Sequence, residues 1–234
     1  MSAAVPAPHY PWKEIPGSSH RILLSRIEER GTDLRLLDFG YGTGELARRV
    51  RSCCRYIAGI ELDADAARGA ADVFDRCLLE DLLESLETLA RLDDGGFDVV
   101  VAADVLEHLP DPGRALDLLR PLVKPGGVLL VSLPNVANVT VRLSLLFGRF
   151  AYAPRGLLDA SHLRFYTRRS ARDLLAAHGF SVRTAVPTAM PVELALPALG
   201  RAPLAPLVRA AALLLARLRP TLFGYQFVFE AVPA

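Results

Sequence analysis

The residues best suited to do chemistry fall in three short stretches. In LRLLDFGYGTG, positions 34–44, Asp38 closes an apolar run and Gly40, Gly42 and Gly44 alternate behind it. Glycines adopt backbone angles that a side chain forbids and let a ligand approach the main chain, while a helix opening at Glu45 presents free N–H groups. A dinucleotide loop spaces its glycines G-x-G-x-x-G for a phosphate. Here the pattern is D-x-G-x-G-x-G, and a carboxylate just ahead of the loop suits a cationic nucleoside better than an anion. The second stretch is GIELD, where Glu61 ends another apolar run and can accept hydrogen bonds from ribose hydroxyls. Asp63, two residues on, reads as a helix cap. The third pairs DVLEHL, with Asp104, Glu107 and His108, and HLRFYT, with His162. An imidazole titrates near ~6.5 and can take a hydroxyl proton as the oxygen attacks. Glu107 and His108 serve equally well as hydrogen-bonding groups that fix a loop, and His162 as a structural residue.

The elements that must position these residues alternate along the chain. Ser18 or Ser19 caps a helix from about His20 to Arg30, which Gly31 ends. A buried strand leads into the glycine loop, and a helix over 45–51 follows. Strands are expected at 56–60, 76–79, 97–101 and 128–134, with a Pro-Gly-Gly turn before the last of these. Helices are expected at 64–74, from Asp81 towards Ala90, and after Asp111-Pro112, where Asp is the cap and Pro the first helical residue. This alternation predicts a doubly wound, mostly parallel α/β sheet whose ligands bind at the carboxyl ends of the strands. After Pro134 the alternation lapses. An amphipathic run (139–147) and a basic aromatic stretch precede His162, then come a helix capped by Thr167 and closed by Gly179, and a strand at 180–186. An apolar helix over 204–218 and a final strand at 224–232 complete the chain.

LDFGYGTGE resembles the first motif of the class I S-adenosylmethionine-dependent methyltransferases, DVLEHL resembles the signature after strand four of their small-molecule members, and HLRFYT looks like an element of a bacterial subgroup of these. The ordered series after the first motif, to about position 186, is similar to the rest of their core. The resemblance implies a seven-stranded sheet with the last strand antiparallel, and S-adenosyl-L-methionine as cofactor. It implies that Asp38, Gly40, Gly42, Gly44, Glu61, Asp81, Leu82 and Asp104 bind that cofactor, with Asp81 and Leu82 at the adenine. It places an acceptor-binding cap over about 135–166 and makes His162 and His108 the candidate catalytic residues. The implied reaction moves a methyl group to a small-molecule acceptor, at a hydroxyl oxygen of a secondary metabolite, sugar or quinone. A nitrogen or carbon acceptor, a non-catalytic methyltransferase-like partner of a biosynthetic enzyme, and a dinucleotide binder are the alternatives. Tyr41 departs from the small residue usual at its place in the loop.

Composition narrows the remaining choices. A chain of 234 residues with 51% hydrophobic content is most simply a single domain over 18–234 behind an irregular arm at 1–17. Trp12 and Tyr10 of that arm are candidates to cover the cofactor. A net charge of +1 gives no general affinity for nucleic acid. The three cysteines, Cys53, Cys54 and Cys77, follow no metal-ligand spacing, and no His/Asp/Glu run demands a metal. They suit a reduced cytoplasm, and the N-terminus lacks the pattern of a signal peptide. The apolar segment 190–219 reads first as a helix that covers the core, and second as a weak contact with a membrane surface through Arg209 and Arg217.

Overall fold

Strand β1 (Leu34–Phe39) is an interior strand of the sheet and carries the glycine loop at its end. Its neighbours on the two sides are β2 (Cys54–Ile60) and β4 (Phe97–Ala103), both parallel to it. The structure, a computed structural model, describes residues 12, 15–70, 72–79, 81–92, 95–191 and 205–234. With β3 (Arg76–Leu78), β5 (Val123–Pro134), β6 (Phe180–Pro187) and β7 (Gln226–Pro233) the sheet runs β3-β2-β1-β4-β5-β7-β6. Strand β7 is antiparallel to β5 and β6 on either side, and the others are parallel.

Adjacent residues of each inner strand serve opposite faces, as a pleat requires. Leu37, Val100, Leu129 and Phe229 pack on one side against α4 (Leu82–Leu92), α5 (Pro112–Leu119) and α7 (Arg168–Ala177). Leu36, Val99, Leu130 and Val228 pack on the other against α1 (Ser19–Glu28) and α2 (Glu45–Val50). A strand covered on both faces must be apolar throughout, which is why β1, β4 and β5 read as runs rather than alternations.

Local signals start the helices where the chain says they should. Ser18 accepts from the Arg21 amide to start α1, Asp111 from Arg114 to start α5, and Thr167 with Ser170 forms a capping box on α7. Three expectations shift. Helix α3 spans only Ala64–Arg68, capped by Asp63, and stops well short of position 74. The Pro-Gly-Gly stretch is a bulge inside β5: Phe97 pairs with Val123 and Val99 with Val128, so the partner strand loops out the residues between, with Gly126 at φ +80°. The short helix α9 (Pro220–Phe223) before β7 has no counterpart among the expected elements.

The apolar helix is α8 (Ala205–Leu218), and here the core-covering expectation fails. Of its residues only Ala205 and Ala216 are buried, while Leu207, Leu214, Leu215 and Leu218 are exposed. A hydrophobic stripe states which side dislikes water, not whether the fold supplies a surface to cover it. Residues 192–204 of the same segment lie outside the described residues, as do Tyr10 and most of the N-terminal arm. Trp12 stacks on His20 of α1 at 4.5 Å and lies under the Arg49 guanidinium of α2.

Candidate functional site

The order of strands reverses between β1 and β4, so their carboxyl ends diverge and leave a crevice there. The glycine loop follows β1 into that crevice. Gly40, at φ +74°, lies against the segment after β4: a Cβ on it would sit 2.4 Å from Val105 Cγ2. Gly44, at φ +72°, is the N-cap of α2, and a Cβ there would strike Ala70 at 2.6 Å. Gly42 differs. It too has a positive φ, +55°, but a Cβ on it would meet nothing within 4 Å. The first and third glycines let elements close on one another; the middle one borders open space.

Tyr41 does not enter that space. Its ring is buried, 4.2 Å from Phe74 and tight against Gly59, so the bulky residue fills the floor behind the loop.

Glu61 closes the loop from β2. Its Oε2 accepts from the Gly42 amide at 2.6 Å, and its Oε1 accepts from the amides of Leu62 and Asp63. A carboxylate offers about four acceptor positions, and with three taken by these amides one is left, on Oε2, for a ligand hydroxyl. Asp38 is wholly buried at the end of β1, and its Oδ2 has no hydrogen-bond partner. Burial, then the nearby Glu61 charge, raises its pKa from 3.8 to about 7. A buried, unpartnered carboxyl is the natural complement of a cation.

Asp81 lies just past β3, where its Oδ1 accepts from the amides of Leu83 and Glu84 and so caps α4; Leu82 beside it is half-buried. Asp104, immediately after β4, holds a left-handed φ of +55°, which Asp tolerates better than most side chains. Its Oδ1 accepts from Ser132 Oγ at 2.9 Å and from Gln226 Nε2 at 2.8 Å. Sequence reasoning missed both. Gln226 lies in the last strand, far along the chain from Asp104, and only the insertion of β7 beside β5 brings it there.

The third group assembles on the 3-10 turn Leu106–His108. The Glu107 backbone carbonyl accepts from the amides of Leu163 (2.8 Å) and Arg164 (3.0 Å), and Arg164 also reaches the Pro110 carbonyl. These bonds pin the segment carrying His162 to the one carrying His108. The two rings meet edge to face, centroids 4.9 Å apart, and His108 Nδ1 lies 3.2 Å from the Ser161 carbonyl. His162 is 7% exposed and Glu107 1%, yet His162 Nδ1 and both Glu107 carboxyl oxygens lack hydrogen-bond partners. Burial, then His108, lowers the His162 pKa, so the ring is neutral at pH 7. Burial, then Asp104, raises that of Glu107 well above the usual carboxyl range. The loop-fixing role expected of Glu107 is carried by its main-chain carbonyl.

A sequence-family profile described as a methyltransferase domain matches residues 14–185. The chain belongs to that family. Similar curated proteins include a ubiquinone biosynthesis O-methyltransferase of Paraburkholderia phymatum, 33% identical over 56% of each chain. An uncharacterized methyltransferase of Mycobacterium bovis is 37% identical over 47% of this chain and 54% of its own. The chain thus spans a little over half the length of the curated relatives it matches. Among solved structures, a SAM-dependent methyltransferase from Archaeoglobus fulgidus superposes with TM-score 0.60 at 18% identity, over 91% of this chain and 93% of its own. Magnesium protoporphyrin IX methyltransferase of Synechocystis, solved with bound SAH, gives TM-score 0.59 at 16% identity, over 92% and 82%. At such identities the likeness is one of fold.

Proposed function

We propose that the protein is an S-adenosylmethionine-dependent methyltransferase acting on a hydroxyl oxygen of a small molecule, with a quinone-type phenol as the first candidate. The observation that carries this reading is the pairing of a buried Asp38, whose Oδ2 has no partner, with open space over Gly42, next to Glu61. Asp38 faces the cationic part of the cofactor, Glu61 takes the ribose hydroxyls, and Asp81 with Leu82 borders the adenine. Asp104, held by Ser132 and Gln226, stands between this half of the crevice and the acceptor. The bound cofactor supplies a methyl carbon activated by sulfonium, so the protein's tasks are alignment and exclusion of water.

The acceptor hydroxyl meets the chain at His162 and His108, under a cap formed by residues 135–166. His162 Nδ1 is neutral, buried and unpartnered, which suits it to accept the hydroxyl proton as the oxygen attacks. The names of the ubiquinone-pathway relatives support an aromatic hydroxyl as the acceptor.

A weak contact with an anionic lipid surface goes with a greasy acceptor. Leu146 and Phe147, at the end of α6 (Val139–Leu146), are 76% and 74% exposed, and the exposed leucines of α8 add to the apolar surface. The sequence carries Arg142, Arg149 and Arg155 but no acidic residue over 139–158, and Arg209, Arg217 and Arg219 but none over 205–229.

The test of function is a panel of phenols, catechols, hydroxyquinols, amines and sugars incubated with S-adenosylmethionine, with S-adenosylhomocysteine release and product mass as readouts. Turnover on an aromatic hydroxyl supports the reading. Turnover confined to amines, or cofactor binding with no turnover at all, overturns it.

A further inference from the structure

Glu107, His108 and His162 offer ligand atoms that all lie within 4.8 Å of one another. Nothing in the spacing of these residues marks them as ligands, because His162 reaches the pair only through the Leu163 and Arg164 amides bonded to the Glu107 carbonyl. Both Glu107 oxygens and His162 Nδ1 are buried without partners, which native proteins avoid unless the group has another task.

His108 is held as a metal-bound histidine is held. Such a ring donates its second N–H to a backbone carbonyl or carboxylate, and this fixes the tautomer. His108 Nδ1 lies 3.2 Å from the Ser161 carbonyl; with the proton there, Nε2 carries the free lone pair. His162 Nδ1 is buried without a partner and is likewise available to an ion. His108 therefore has one nitrogen tied to main chain and one free, and His162 has a free Nδ1. The edge-to-face arrangement at 4.9 Å lets both free nitrogens converge without stacking.

We propose that Glu107, His108 and His162 bind a divalent first-row transition metal ion. Two imidazoles and one carboxylate favour zinc, iron, cobalt or manganese over calcium or magnesium, which prefer oxygen ligands. Three protein ligands leave at least one position open. In a role that rests on the function proposed above, the acceptor hydroxyl takes that position. Its O–H bond breaks with the electron pair kept on oxygen and the proton passes to solvent. An oxygen lone pair then forms the O–CH3 bond as the S–CH3 bond breaks towards sulfur. His162 is a ligand in the loaded protein and the proton acceptor in the metal-free one.

The experiment uses the full chain, stripped with a chelator, without cofactor or acceptor. Calorimetric titration with Zn2+ and absorbance titration with Co2+ are expected to saturate at one ion per chain. The cobalt spectrum should show d–d bands without thiolate charge transfer, since Cys53, Cys54 and Cys77 take no part. Glu107→Gln and His162→Ala should each weaken binding at least ~100-fold, as should His108→Asn, with folding checked by circular dichroism. A Cys53→Ser, Cys54→Ser, Cys77→Ser variant should bind as the parent does. No saturable binding by the parent, unchanged affinity in folded Glu107→Gln and His162→Ala, or loss with the cysteines would overturn the proposal. Failure here leaves the hydroxyl-methylating reading standing, whereas a chain that binds the ion yet methylates no hydroxyl breaks that reading alone.

Discussion

The Gly42 amide donates to Glu61 Oε2 at 2.6 Å, so the middle glycine of the loop after β1 is tied to the carboxylate that ends β2. One side chain therefore shapes the loop and, in the function proposed above, also meets the ribose. Glu61→Ala should weaken S-adenosylmethionine binding by about 1 to 3 kcal/mol, roughly 5 to 150 fold. Glu61→Gln keeps an acceptor oxygen and should lose less. Isothermal titration of both variants checks this, and equal affinity in parent and alanine variant would remove Glu61 from the ribose.

Gly40 and Gly42 should fail in different ways. A Cβ at Gly40 strikes Val105, so Gly40→Ala should lower the melting temperature. Gly42→Val meets open space and carries mainly the backbone cost of a left-handed φ, about 1 to 2 kcal/mol. It should stay folded at room temperature and lose the cofactor. Thermal melts beside binding curves separate the two, and a Gly42→Val that binds normally would move the site elsewhere.

Asp38 links stability and binding to pH. Its pKa is about 7 in the folded chain against 3.8 as a free side chain. Below pH 4 it is protonated whether the chain is folded or not. As pH rises from 4 to 7 only the unfolded chain gives up the proton, so folding weakens, by on the order of 4 kcal/mol across the window. Binding of a cation should strengthen over the same rise. Denaturant melts and titrations at pH 5, 6, 7 and 8 should show both slopes, and Asp38→Asn should flatten them. Parallel slopes in parent and variant would assign the effect to other groups.

His162→Ala should reduce kcat by about 100 fold or more and leave cofactor affinity intact. A change confined to KM would make the ring a binding group only. Calorimetry with S-adenosylhomocysteine beside steady-state kinetics distinguishes these results.

Vesicles carrying anionic lipid should co-sediment the protein at low salt and release it at high salt, since exposed arginines are screened within a Debye length of about 8 Å at physiological ionic strength. A double Leu146→Ser, Phe147→Ser variant should bind less while melting as the parent does, because both side chains are largely exposed. Equal sedimentation of parent and variant would place the contact on another face.

The amino-acid sequence by itself determined the order of strands and helices apart from α9, a cap at Ser18 or Ser19, the caps at Asp63, Asp111 and Thr167, and the glycine loop with its acidic partner. Those features are encoded over a few neighbouring residues, through periodicity, hydrogen-bonding side chains and permitted φ angles. Tertiary structure decided what lies between distant segments. The insertion of β7 beside β5 delivers Gln226 to Asp104, and two backbone bonds to the Glu107 carbonyl deliver His162 to His108. It also decided that Tyr41 turns inward under the loop and that α8 leaves its leucines in water. Such outcomes depend on which surfaces remain to be covered after the sheet has closed, and no local pattern records that.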